Sequence, residues 1–220
     1  MTDAARYRYP VGRLLIFARA PVAGAVKTRL AAGIGAEAAA RVHGELLRGT
    51  LDMALQARLA PVELCVTPDT SHPAIRSLLD GRAVTARAQR GADLGQRMYT
   101  ALQQTLEKAE FAVLIGTDCP VLTGDYLDQA CRELRSGTDL VVGPAEDGGY
   151  VLIGARHGYS ELFECIPWGT AEVLPATRER AQSLGLRYAE LPVLWDLDTP
   201  ADLARWRAQQ HQRPVATATP

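Results

Sequence analysis

Short apolar runs rich in valine, isoleucine and leucine alternate along the chain with longer amphipathic stretches. This alternation is typical of buried parallel strands that are joined by crossover helices. The pattern therefore predicts an α/β protein. Seven strands are expected, at residues 13–19, 62–67, 83–87, 111–116, 139–144, 150–155 and 186–191.

The helices are predicted between these runs. The clearest covers residues 36–59, where apolar positions repeat at helical spacing. Further helices are expected at 93–109, 123–136 and 170–184, and a last one begins at Thr199, whose hydroxyl suits an N-cap. No repeat or linker divides the chain, so we expect a single domain over residues 1–210 and a frayed tail at 211–220.

Composition narrows the class of protein. The 220 residues include 24 Lys+Arg and 25 Asp+Glu, which gives a net charge of −1. A near-neutral chain has no surplus of cations for phosphate backbones, so nucleic acid is not an expected partner. The N-terminus lacks the apolar core of a signal peptide and no apolar run is long enough to span a membrane, so we expect a cytoplasmic protein without membrane association. Four widely spaced cysteines without a CxxC pair predict reduced, buried thiols.

The loop after the first strand combines small residues with two cations. Residues 20–30 read APVAGAVKTRL, with Pro21, Gly24, Lys27 and Arg29. Two cations beside such a turn suit a phosphate, although the loop is not a Walker A motif because Val26 precedes the lysine. A solvated basic turn is an equally good interpretation.

Two aspartates are placed to bind a cation. Asp118 directly follows a buried strand, and Mg²⁺ binds proteins through one or two carboxylates together with substrate phosphates and water. Asp198 lies two residues after Asp196 in an extended segment before the last helix, where it could complete the site. The alternatives are a turn aspartate at 118 and helix-entry electrostatics at 198.

Two further loops contain glycine next to carboxylates. Gly91 and Gly95 bracket Asp93 before a helical pattern, and a helix cap by Asp93 would account for this segment. Glu146 and Asp147 precede a glycine pair, which also suits a hairpin turn. Neighbouring carboxylates on an extended chain point to opposite faces, so they fit a glycosidase poorly.

The rest of the sequence offers one further candidate residue and excludes two classes of enzyme. Trp168 is either a loop aromatic that covers a ligand or a core residue. Neither GxSxG nor GxGxxG occurs, which argues against a serine-histidine hydrolase and against a dinucleotide-binding oxidoreductase.

Six blocks carry a family resemblance: IFARAPVAGAVKTRL, QRGADLGQRM, GTDCPVLTGDYLDQA, GPAEDGGYVLIG, PWGT and DLDTPADL. In this order, across residues 12–207, they resemble the DUF2064 family, whose members are also called transferase 1, rSAM/selenodomain-associated, or arsenosugar biosynthesis glycosyltransferase. The resemblance implies a GT-A, Rossmann-like, three-layer α/β/α fold with a mainly parallel sheet, as in nucleotide-diphospho-sugar transferases. The chain also looks more distantly like molybdenum-cofactor and phospholactate nucleotidyltransferases.

The resemblance also implies roles for individual residues. Asp118, Lys27 and Asp147 would be catalytic, and Asp118 and Asp198 would hold Mg²⁺ or Mn²⁺. The acceptor side would be formed by Glu146, Asp147, Gly148 and Trp168. Contacts with the nucleotide would come from Ala18, Pro21, Gly24, Lys27, Arg29, Gln89, Gly91, Asp93 and Gly95. The chain departs from its relatives at Ala23, Ala25 and Ala92.

Three functions are consistent with these residues. The first is a metal-dependent glycosyltransferase that uses a nucleotide sugar and a small-molecule acceptor. The second is a nucleotidyltransferase that couples an NTP to a phosphorylated small molecule and releases pyrophosphate. The third is a non-catalytic nucleotide-binding protein. The sequence leaves the base, the sugar, the acceptor and the oligomeric state open.

Overall fold

A seven-stranded mixed sheet forms the centre of the protein, and all seven strands lie where the apolar runs predict them. The structure is a computed structural model that describes residues 6–212, with side chains described to residue 210. The strand order is β3-β2-β1-β4-β6-β5-β7. The strands are β1 (Gly12–Arg19), β2 (Val62–Thr67), β3 (Thr85–Ala88), β4 (Phe111–Ile115), β5 (Leu140–Pro144), β6 (Tyr150–Ala155) and β7 (Tyr188–Glu190).

Strand β6 runs against the others. It pairs antiparallel with both β4 and β5, whereas β1 pairs parallel with β2 and β4. The sheet is therefore mainly but not wholly parallel. Only residues 145–149 connect β5 to β6, which is enough for a hairpin and too short for a crossover. As a result, this hairpin loop lies at the same edge of the sheet as the carboxyl ends of β1 and β4.

Helices cover both faces of the sheet. Leu14 and Ile16 of β1 pack into one apolar cluster, and the alternating Leu15 and Phe17 pack into another on the opposite face. This confirms the three-layer α/β/α architecture. The α-helices of the described chain are α1 (Thr28–Ile34), α2 (Ala36–Ala57), α3 (Pro73–Leu79), α4 (Leu94–Leu106), α5 (Gly124–Arg135), α6 (Val173–Ser183) and α7 (Pro200–Gln212).

Two of these helices, α1 and α3, were not predicted. Each has seven residues, too few for an apolar repeat to be recognised in the sequence. The start of α7 is as predicted: the Thr199 hydroxyl accepts from the Asp202 amide, and the Asp202 carboxylate accepts from the Thr199 amide. Helix α7 runs through residue 212, and the rest of the predicted frayed tail lies outside the described residues.

The cysteine prediction is correct for three thiols and wrong for the fourth. Cys65, Cys119 and Cys131 are free and buried, but Cys165 is free and exposed. Cys165 lies in the loop between β6 and α6 with a φ of 51°, outside the packed layers. Within residues 6–212, none of the helices has the length and apolarity that crossing a bilayer requires.

Candidate active site

A cleft of about 780 Å³ opens at the carboxyl edge of the sheet. Its walls come from the loop after β1, the segment after β4, the β5–β6 hairpin and the segment before α7. Ligands of open α/β sheets bind at this edge, because the loops that follow adjacent parallel strands meet there. The cleft is therefore the part of the molecule in which the predicted site residues should converge.

Lys27 lies where several of these segments meet. It precedes α1 in a left-handed conformation with a φ of 50°, and its side chain is only 3% exposed. Its Nζ lies 2.6 Å from the Leu197 carbonyl oxygen, 2.6 Å from Asp118 Oδ1 and 3.1 Å from Asp198 Oδ1. An ammonium has three N–H donors. Lys27 therefore connects the loop after β1 to the end of β4 and to the segment before α7.

Asp198 is held from two sides. Its Oδ2 pairs with the Arg29 guanidinium and its Oδ1 with Lys27, while its backbone amide donates to Asp202 Oδ2 at 3.0 Å. The Arg29 side chain is 67% exposed, in contrast to the buried Lys27. The two cations that the sequence places in one turn thus differ in environment, and both face the predicted metal ligands.

Asp118 has one oxygen that is buried against the Lys27 ammonium. Its Oδ1 lies 2.6 Å from Lys27 Nζ, and no other donor reaches this atom within the described part of the chain. The backbone carbonyl of Asp118 accepts from the Leu197 amide at 2.8 Å, which fixes the carboxylate beside the segment that contains Asp198. The structure therefore brings the two predicted metal ligands into contact with one ammonium.

Asp196 adds a further carboxylate to this wall of the cleft. Burial, together with the negative charges of Asp118, Asp147 and Asp198, raises its pKa to about 7 against the lowering effect of Lys27. The sequence had placed Asp196 only as a neighbour of Asp198. Its burial depends on the fold and is not visible in the local sequence.

These residues fit a divalent cation in their chemistry. Carboxylate oxygens are the ligands that Mg²⁺ and Mn²⁺ prefer. Burial and the neighbouring carboxylates raise the pKa of Asp196, which indicates more negative charge here than Lys27 and Arg29 balance. Among the side chains at 6–210, no group of three or more His, Cys, Asp or Glu residues is arranged as a complete metal site. Asp118 and Asp198 would therefore share the cation with a phosphate and water.

His43 is a site residue that the sequence analysis missed. It belongs to the buried face of α2, and its side chain is 6% exposed. Its Nε2 lies 3.0 Å from the Arg19 carbonyl oxygen and its Nδ1 lies 3.9 Å from Asp118 Oδ1. Burial lowers the pKa of His43. In the sequence this residue stands among the apolar positions of the longest helix, and only its polarity on that face could have drawn attention to it.

The predicted nucleotide-binding segment 89–98 contains residues that make structural contacts, and some of these residues also line the cleft. The Gln89 amide donates to the carbonyl oxygens of Ala18 at 3.1 Å and Cys65 at 2.8 Å, so it joins the ends of β1 and β2. Asp93 caps α4 by accepting from the Gln96 amide at 2.8 Å. Ala18, Gln89 and Asp93 all line the cleft, whereas Pro21, Gly24, Gly91 and Gly95 do not.

Gly95 is required for packing. A Cβ at this position would lie 2.5 Å from the Phe163 carbonyl oxygen and 2.8 Å from Trp168 Nε1. Trp168 lines the cleft and packs edge-on against Tyr150, with ring centroids 6.3 Å apart. The glycine therefore lets α4 approach the loop that presents the tryptophan.

The adjacent carboxylates of the β5–β6 hairpin have different surroundings. Glu146 forms a two-pronged ion pair with Arg205 of α7 and does not line the cleft. Asp147 does line the cleft, and its Oδ1 accepts from the Gly149 amide at 2.9 Å. Gly148 shapes the turn with a φ of 86° but also lies outside the lining. Only Asp147 and Trp168 of the predicted acceptor-side residues therefore face the cleft.

Comparison with known proteins identifies the family. The model of the DUF2064 family, described as an uncharacterized protein conserved in bacteria, matches residues 50–170. A solved structure from Desulfovibrio desulfuricans G20, named as a candidate nucleotide-diphospho-sugar transferase, is 31% identical with a TM-score of 0.85, and the match covers 93% of this chain and 90% of that chain. No match is found among curated protein sequences.

More distant structures share the fold. The inositol-1-phosphate CTP transferase of T. maritima is 14% identical with a TM-score of 0.61, over 94% of this chain and 98% of that chain. Glucosyl-3-phosphoglycerate synthase of Mycobacterium tuberculosis, solved with Mn²⁺, UDP and glucosyl-3-phosphoglycerate, is 13% identical with a TM-score of 0.51, over 94% of this chain and 79% of that chain. The chain therefore belongs to the DUF2064 family and has the fold of the nucleotide-diphospho-sugar transferases.

Proposed function

We propose that the protein is a metal-dependent glycosyltransferase that takes a nucleotide-sugar donor and transfers its sugar to a small-molecule acceptor. The observation that carries this proposal is the convergence of Lys27, Asp118 and Asp198 at one end of the cleft. Cations and metal-binding carboxylates at one point suit a diphosphate, which needs its charge neutralised as it leaves. The name of the 31% identical structure supports the same class of reaction.

Asp118 and Asp198 would hold the divalent cation, Mg²⁺ or Mn²⁺. When bound, such a cation neutralises the negative charge that develops on a leaving diphosphate. Lys27 now pairs with the same two carboxylates. Lys27 would release these contacts to a bound cation, and its ammonium would then be available to the donor phosphates. Arg29, which is exposed beside Asp198, binds the same phosphates from the solvent side.

Asp147 would act on the acceptor. Its carboxylate is exposed in the cleft and has a fixed orientation, because its Oδ1 accepts from the Gly149 amide. An aspartate in this position can orient an acceptor hydroxyl and take its proton as the new glycosidic bond forms. Trp168 and Tyr150 supply an aromatic surface beside it, which suits the apolar face of a sugar ring.

A nucleotidyltransferase is the second candidate. The ion pairs of Lys27 and Arg29 beside Asp118 and Asp198 would serve an NTP equally well, since transfer of a nucleotidyl group also depends on positioning and charge neutralisation. The inositol-1-phosphate CTP transferase, which has the same fold, is named for this kind of reaction. An acceptor phosphate would then attack the α-phosphate of the NTP, and pyrophosphate would leave.

A thermal-shift panel separates these functions. The ligands are NTPs, nucleoside diphosphates and nucleotide sugars, each with Mg²⁺, Mn²⁺ or EDTA. A ligand at 100 times its Kd stabilises by about 2.7 kcal/mol, which raises the Tm by roughly 5 to 11 °C in a chain of this size. The largest shift from a nucleotide sugar with metal supports glycosyl transfer, and a shift from an NTP alone supports nucleotidyl transfer. A nucleotide shift that is indifferent to metal and to EDTA would instead indicate a non-catalytic nucleotide-binding protein.

A further inference from the structure

His43 has a buried nitrogen that nothing in the described structure satisfies. The ring is 6% exposed, and its Nδ1 has no hydrogen-bond partner within the described residues. A buried polar atom without a partner is costly, so native proteins leave few of them without a reason. The unpaired atom faces the cleft at Asp118.

The contacts of the ring determine what Nδ1 can do. Nε2 lies 3.0 Å from the Arg19 carbonyl oxygen, which only accepts hydrogen bonds, so Nε2 must carry the proton. In the neutral ring Nδ1 is then an acceptor. It lies 3.9 Å from Asp118 Oδ1, an acceptor that the Lys27 ammonium already contacts at 2.6 Å. Asp118 therefore cannot satisfy Nδ1, which needs a donor from another group.

Lys27 does not meet this requirement in the structure. Its three N–H groups are matched by the Leu197 carbonyl and by the carboxylates of Asp118 and Asp198. The charged groups that act on His43 are Asp118, Lys27 and Arg19, and none of them donates to Nδ1. Water is the remaining donor, and a divalent cation held by only two carboxylates keeps several bound waters.

We propose that His43 is a positioning residue of the cation site, where its Nδ1 accepts a hydrogen bond from water bound to the divalent cation at Asp118. The Arg19 carbonyl fixes the tautomer and orientation of the ring, as partners of metal-site histidines commonly do. This inference rests on the proposed cation site. It adds a residue of α2 to a site that is otherwise built from loops.

Two substitutions at His43 separate this role from a purely structural one. A glutamine side chain can place its amide nitrogen near the position of Nε2 and keep the contact with the Arg19 carbonyl, but it offers no acceptor at Nδ1. An asparagine side chain can place an acceptor near Nδ1 but loses the contact with Arg19. The probe is Mn²⁺ alone, titrated into the full chain and followed by electron paramagnetic resonance, with thermal melts on the same samples.

We expect His43→Gln to weaken Mn²⁺ binding by about tenfold, the lower end of the effect of removing an outer partner of a metal site. His43→Asn should keep the Mn²⁺ Kd within about twofold of the wild type and lower the Tm, because the Arg19 carbonyl loses its donor. The reverse order, with His43→Gln equal to the wild type and His43→Asn impaired in Mn²⁺ binding, would overturn the proposal and leave His43 as a structural residue.

Asp118→Asn distinguishes failure of this inference from failure of the proposed function. If the wild type binds Mn²⁺ and Asp118→Asn abolishes binding, the cation site stands and the two His43 variants decide the role of the histidine. If the wild type binds no Mn²⁺, or if Asp118→Asn binds it unchanged, the cation site and the role of His43 are both overturned.

Discussion

The ammonium of Lys27 lies 2.6 Å from the carboxylate of Asp118 and 3.1 Å from that of Asp198, the two groups that would hold a divalent cation. A lysine that is only 3% exposed would be costly to bury without such partners. Lys27 therefore stabilises the loop after β1, and at the same time it competes for the oxygens that would bind a divalent cation. Substitutions at Asp118 and at Lys27 should therefore change the binding of the cation in opposite directions.

Asp118→Asn should abolish turnover and leave the fold intact. The amide keeps the shape of the side chain but loses the charge that would hold the cation, so we expect turnover to fall by at least about a hundredfold, as when one group that stabilises transition-state charge is removed. Far-ultraviolet circular dichroism checks the fold, and the metal-dependent part of the thermal shift checks the site. Full activity of this variant would rule out Asp118 as a metal ligand.

Lys27→Gln should bind Mn²⁺ more tightly than the wild type when no nucleotide is present. Removing the ammonium frees two carboxylates, and a gain of about tenfold in affinity corresponds to about 1.4 kcal/mol. Arg29→Gln is the matched control, because Arg29 also pairs with Asp198 but is 67% exposed, and exposed pairs contribute little. Weaker Mn²⁺ binding by Lys27→Gln would show that the lysine supports the cation and does not compete with it.

Asp147→Asn and Glu146→Gln should differ strongly in activity although the residues are neighbours. Asp147 lines the cleft, and loss of a general base typically costs about a hundredfold or more in turnover. Glu146 pairs with Arg205 outside the cleft, so Glu146→Gln should stay within about twofold, as the small energy of an exposed pair implies. Equal losses in the two variants would remove the assignment of Asp147 as the base.

Gly95→Ala should destabilise the protein and disturb the tryptophan loop. The added methyl group would overlap the Phe163 carbonyl and the Trp168 ring, and overpacking of this kind costs about 1–3 kcal/mol. Gly49→Ala is the control, because Gly49 is exposed within α2 with no other atom within 4 Å of its Cβ position. That variant should gain about 0.5–1 kcal/mol in helix stability. Thermal melts that move in the same direction for both variants would contradict this prediction.

Thiol labelling of the native protein should detect one fast cysteine. Cys165 is exposed, whereas burial raises the pKa of Cys65 to about 11 and the pKa of Cys119 and Cys131 to about 12. The thiolate is the reactive form, so the three buried thiols should react only when the protein unfolds. Labelling with a disulfide reagent before and after denaturation measures this, and Cys165→Ser should remove the fast phase. A fast phase of more than one thiol would contradict the burial of the other three.

Most elements of the fold can be predicted from local sequence patterns. The runs at β1, β2 and β4 are rich in apolar residues, and the stripe on α2 repeats at helical spacing, so the local pattern predicts them. It did not predict α1 and α3, which are too short to show a repeat, nor the reversed direction of β6, which depends on pairing with strands that are distant in the chain. The predicted family is confirmed by its model and by the 31% identical structure.

The contacts of the candidate residues depend on the tertiary fold. The sequence gives Lys27, Asp118 and Asp198 as separate residues in separate loops, and only the fold brings the lysine between the two aspartates. It also directs Glu146 toward Arg205 and presents His43 to Asp118 from inside a helix. Local sequence patterns indicate which residues of a helix or strand are buried. Contacts between distant loops depend on strand pairing, because the pairing determines which loops meet at the carboxyl edge of the sheet.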